Sequence, residues 1–160
     1  MTKMFITALF SLYVTLAAYP ADTGRFRPFF AYIPKSVTST EIPSYDEGML
    51  IAVRIAEARA FKRFRRLCWR AVKNAMMEAK VIFERPTTRY AKQAGEELVK
   101  KFGFKKIDVT DPFDAPVGAV LVYGGRGAGH VEFRTAGGFV SDAVSDRPSR
   151  RPLLGVYVRI

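Results

Sequence analysis

The chain has 160 residues, 49% of them hydrophobic, with 26 Lys and Arg against 15 Asp and Glu, one Cys and one His. That length fits one domain with accessory ends, and the apolar content excludes a chain disordered throughout. A net charge of +11 points to an anionic partner (nucleic acid, a lipid surface or a wall polymer), and a lone cysteine excludes an internal disulfide.

Residues 1–21 read as a secretory signal peptide. Lys3 supplies the positive end, Met4–Ala18 is apolar apart from Thr7, Ser11 and Thr15, and Ala17, Ala18 and Ala21 are the small residues a signal peptidase needs. Tyr19-Pro20 blurs the cleavage position, and an uncleaved anchor is the alternative. No later stretch reaches the ~18–20 apolar residues of a span, so none is expected once the signal is removed. The expected location is periplasmic or secreted. Residues 22–45 hold Pro28, Pro34 and Pro43 among Phe26, Phe29, Phe30 and Tyr32. Proline at that density breaks a helix, and the aromatics suggest an extended arm docked on the domain.

Residues 46–160 read as a single domain. From Glu47 to about Glu84 apolar residues recur at spacings of three and four, including Met49, Val53, Ala56, Trp69, Val72 and Met76. A run that long exceeds an ordinary globular helix. A break between Ala60 and Cys68 is expected, with Cys68 near the start of the second helix. A third helix is expected over Arg89–Lys101, closed by Gly103. After Phe104 a loop rich in Asp and Pro leads to strands at Ala119–Tyr123, His130–Thr135, Phe139–Ala143 and Gly155–Ile160. Helices first and a small antiparallel sheet second make an α+β layout.

The lone thiol and the lone imidazole are the candidate chemistry. Cys68 lies among Lys62, Arg63, Arg65, Arg66, Arg70 and Lys73, and cations together with a helix N-terminus favour a thiolate. His130 opens a strand after the glycine-rich Gly124–Gly129, where its ring could face the thiol across the helix–sheet junction. Its second nitrogen needs an acceptor. Asp142 on the next strand is the first candidate, and Glu132, two residues along on the face of His130, is the second. The plain alternatives are a buried core cysteine, a surface histidine and an aspartate that caps a turn. Gly124–Gly129 lacks the GK[ST] of a phosphate loop, and one Cys with one His is a poor zinc set. No cofactor or metal is expected.

Cys68-Trp69, then PVGAVLVYGG (Pro116–Gly125), GHVEFRT (Gly129–Thr135) and FVSD (Phe139–Asp142) together resemble the NlpC/P60 and CHAP superfamily of papain-like cysteine peptidases and amidases. The resemblance covers roughly Leu67–Ile160. It implies a papain-like core with N-terminal helices packed on a small antiparallel sheet. It also implies hydrolysis of an amide in the peptide part of peptidoglycan, with Cys68 as nucleophile, His130 as base and Asp142 as its orienting residue. Trp69, Tyr90 and Tyr123 would be groove walls. The partners would be peptidoglycan peptide stems or another anionic wall polymer, and not nucleic acid. Three departures stand out. No acidic residue follows Pro116-Val117-Gly118, Leu67 precedes the nucleophile in place of a capping residue, and a slip of one residue would exchange Asp142 for Ser141. The alternatives are a non-catalytic basic protein that binds nucleic acid or the wall, and a secreted amidase effector or toxin.

Overall fold

The structure, a computed structural model, describes residues 46–160, so the expected signal peptide and arm lie outside the described residues. Helix α1 (Glu47–Arg59) begins where the Asp46 carboxylate accepts the Gly48 amide at 2.8 Å. It buries Met49, Ala52, Val53 and Ala56, the stripe legible in the sequence. Helix α2 (Cys68–Glu78) buries Trp69, Val72, Ala75 and Met76 and packs against α1. The expected break occupies residues 60–67. However, α2 ends at Glu78, short of the expected Glu84. Lys80 adopts a left-handed φ of 57°, and the Val81 amide returns to the Met76 carbonyl at 2.9 Å, which closes the helix. The third helical run divides into a 3-10 turn (Ala91–Gln93) and helix α3 (Ala94–Phe102), stopped by Gly103 at φ 72°.

Six strands follow: β1 (Phe104–Ile107), β2 (Val120–Tyr123), β3 (His130–Arg134), β4 (Phe139–Val140), β5 (Val144–Ser145) and β6 (Leu153–Arg159). They form one antiparallel sheet in the order β1-β6-β2-β3-β4-β5. β1 and β5 were not foreseen. β1 carries Lys105-Lys106 at its centre, which hides any alternation, and β5 has only two residues. Alternation assigns the two faces elsewhere. Val120, Val122, Val131 and Phe133 join the core beneath the helices. Leu121, Tyr123, Phe139, Val156 and Val158 form a second apolar cluster. Because Tyr123 pairs with His130 and Leu121 with Glu132, both candidate polar residues of β3 share the face of that second cluster. Among the described residues no helix is long and apolar enough to cross a membrane.

A polar clamp fixes the segment between α2 and α3. Glu97, 5% exposed, accepts both amides and both hydroxyls of Thr87 and Thr88 at 2.5–3.0 Å. Burial opposes its charge, yet these hydrogen bonds outweigh burial and lower its pKa to about 2. Lys73 donates to the carbonyls of Pro86 and Thr88 at 2.8 Å each, and the Trp69 indole donates to the Thr88 carbonyl at 3.1 Å. Residues 86–88 are thereby held beside the start of α2. Glu97→Ala would strand four donors, and the expected loss of unfolding free energy is about 3 kcal/mol, read from urea melts at pH 7. The native carboxyl titrates below its ordinary 4.5, so its contribution is complete above that pH and lost as pH falls toward 2. The difference between wild type and variant should therefore shrink in melts at pH 3.

Candidate active site

Cys68 is the first residue of α2, as expected. The residue before it, Leu67, offers no side-chain cap, so the first amides of α2 remain available to another acceptor. What positions this start is Asp142. Its Oδ2 accepts the amides of Arg65 and Leu67 at 2.8 Å each, its Oδ1 accepts the Ser141 hydroxyl at 3.2 Å, and its carbonyl accepts the Phe61 amide at 2.9 Å. Between the two clamped amides Arg66 has φ 61°. A left-handed arginine costs on the order of 1 kcal/mol, and the carboxylate that grips both its neighbours holds it there.

His130 starts β3. Gly129, at φ 75°, makes the entry: a side chain there would strike the Tyr123 carbonyl and Lys92. The His130 ring sits 6.0 Å from that of Tyr123 and edge-on to Phe64 at 6.1 Å. Its Nε2 lies 3.0 Å from Glu132 Oε2, and Cys68 lines the same cleft as the ring and acts on its ionisation. With Nε2 taken by Glu132, Nδ1 is the nitrogen left for the thiol. The other oxygen of Glu132 accepts the Ser149 amide at 3.1 Å. Burial pulls the His130 pKa down, but the hydrogen bonds and charges of Cys68 and Glu132 outweigh it and raise the pKa to about 9. The Tyr123 hydroxyl, fully buried, is pushed up by burial first and by Glu132 second, so it stays protonated.

The structure thus brings Cys68, His130 and Glu132 together. The carboxylate in contact with the ring is that of Glu132, the second candidate of the sequence, while Asp142 and Ser141 bond elsewhere. Asp142 lies past the end of β4 at Val140, where the chain turns its carboxylate toward the loop before α2. Ser149, which fixes Glu132 from seventeen residues away in sequence, lies in a polar loop with no motif to reveal it. Trp69 is 5% exposed yet borders a groove. Tyr123 is fully buried and is no groove wall, and Tyr90 is exposed. Asp142→Ala would leave the Arg65 and Leu67 amides without their acceptor and release Arg66. The expected cost is about 2–3 kcal/mol of stability. In any assay of the site the basic limb of the pH profile should stay near 9, since Asp142 does not touch the ring.

Cys68 opens onto two clefts. One, about 610 Å³, runs past His130 and Glu132 toward Arg126, Arg147 and Ser149. The other, about 450 Å³, runs past Trp69 toward Arg70, Arg89 and Thr88. Chemically, the arrangement offers a thiol beside an imidazole that a carboxylate favours as the cation. An uncapped helix start adjoins it, where the two clefts share Arg66, Cys68 and Ala128 in their linings.

A scan of the sequence against protein-family models gave no match, and a search of curated proteins gave none. Among solved structures, the chain is similar to one in the crystal structure of the type VI native effector-immunity complex Tae3-Tai3 from Ralstonia pickettii. The TM-score is 0.55 at 21% identity, over 71% of this chain and 98% of that one. Likeness at this distance concerns the fold alone: an α+β arrangement with a few helices packed on a small antiparallel sheet.

Proposed function

We propose that this protein hydrolyses an amide in the peptide part of peptidoglycan through an acyl-enzyme on Cys68. The observation that carries the reading is the Cys68–His130–Glu132 constellation at the junction of two open clefts. The thiolate, paired with the His130 imidazolium, attacks the amide carbonyl. Amides at the start of α2, that of Cys68 among them, receive the oxyanion. His130 then gives its proton to the leaving amine and afterwards takes one from the water that cleaves the thioester. Glu132 keeps the ring oriented and charged.

The pairing of Cys68 with His130 supports this reading over a non-catalytic basic binding protein, which would leave the thiol apart from the ring. The likeness of fold to a chain of a type VI effector–immunity complex favours a secreted amidase effector over an enzyme of wall upkeep. Incubation of the purified protein with peptidoglycan should release new amine ends and fragments whose masses name the bond cut. Intact sacculi after prolonged incubation with several wall types would overturn the proposal.

A further inference from the structure

Resting on that reading of the site, we infer that the substrate is an extended peptide with carboxylates on both sides of the scissile amide. Arg66 is the cation that meets it at the point of cleavage. The two clefts meet at Arg66, Cys68 and Ala128, which line both. Beyond that junction one arm carries exposed Arg126 and Arg147, and the other carries exposed Arg70 and Arg89.

None of these five arginines forms an ion pair with a carboxylate among the described residues; the pairs present are Arg59–Glu78, Lys100–Glu96, Lys101–Glu97, His130–Glu132 and Arg159–Asp46. The carboxylates of the first arm are already engaged, Glu132 by His130 and Ser149 and Asp142 by backbone amides. The second arm has no carboxylate in its lining. Other cations of the clefts serve the fold: Lys73 binds the Pro86 and Thr88 carbonyls, Arg85 binds Asn74, and Arg151 binds the Gly124 and Arg126 carbonyls.

What remains is a positive charge on either side of the thiol with its guanidinium donors unmatched, and a guanidinium fork fits a carboxylate with two parallel hydrogen bonds. Arg66 differs from the others because its backbone is held in the left-handed region by Asp142, beside the nucleophile. A nucleic acid would also meet the charge. It fits the centre less well, where a thiol and free helix amides suit an amide carbonyl.

The test uses muropeptides freed from peptidoglycan by a muramidase, with carboxylates either left free or converted to methylamides. Binding is measured by calorimetry to the Cys68→Ala protein, which cannot turn them over. Masking the carboxylates should weaken binding about tenfold or more. Arg66→Gly, which suits the left-handed backbone and so spares the fold, should weaken binding to the free acids alone. Arg70→Gln with Arg89→Gln, and Arg126→Gln with Arg147→Gln, should each weaken it separately. Equal affinity for both forms, no binding to either, or a preference for a single-stranded oligonucleotide would overturn the inference. An arm whose paired substitution has no effect would overturn its two-sided form. Turnover by the unmutated protein separates the two claims. Charge-dependent binding without turnover removes only the amidase reading, whereas equal turnover of both forms removes only the carboxylate reading.

Discussion

Cys68→Ala is expected to lower peptidoglycan turnover by a factor of about a thousand or more and to release the charge on His130. The first effect follows from loss of the only thiol, the nucleophile that shares the cleft with the His130 ring. The second follows from the balance at the ring. Burial lowers the His130 pKa, and Cys68 and Glu132 together lift it to about 9. Without the sulfur, burial faces Glu132 alone, so the imidazole should titrate lower, toward the ordinary 6.5. An NMR titration of the single histidine reads this directly. An unchanged titration would mean that the thiol and the ring are not partners in solution.

Glu132→Gln is expected to slow turnover by about 10–100-fold and to shift the basic limb of the pH–rate profile down by about one unit. Glu132 accepts on both oxygens, from His130 and from the Ser149 amide. Glutamine has one oxygen, so its NH2 must face one of those donors, and the negative charge that favours the imidazolium is gone. The sign follows from the direction of the His130 shift. The raised pKa keeps the ring cationic up to about 9, so wild-type activity should fall as pH rises through that value for want of a proton for the leaving amine. In the variant that fall should begin at lower pH. The contrast with Asp142→Ala, which should lose stability but keep its limb, separates a residue that orients the ring from one that positions the helix start. A Glu132→Gln profile that overlays wild type would assign the orienting role elsewhere.

These two residues also show how far the sequence carries. The start of α2 at Cys68, the strand opening at His130 and the α+β order were legible because helical spacing, a glycine-rich entry and a tight reversal are local signals. Glu132 was legible as a candidate, since residues two apart on a strand share a face. Choosing it over Asp142 was not, because the choice depends on where β4 ends and on a loop 75 residues away in sequence taking the Asp142 carboxylate. The Glu97 clamp was equally hidden. A glutamate in the first turn of an amphipathic helix reads as a solvated charge until Thr87 and Thr88 are seen folded over it. β1 escaped because two lysines on a four-residue edge strand leave no alternation to detect. What the sequence withheld was in each case a long-range polar contact or an element too short to carry a period.

The central claim is that Cys68 carries the acyl group during turnover. Its most direct test is to mix the protein with muropeptides, quench in acid within a turnover, and read the mass of the peptide that contains Cys68. The account predicts a thioester adduct on Cys68 whose mass equals the substrate's acyl part without its leaving amine, and no adduct in the Cys68→Ala protein. Turnover that proceeds with Cys68 unmodified, or that persists in Cys68→Ala, would contradict it.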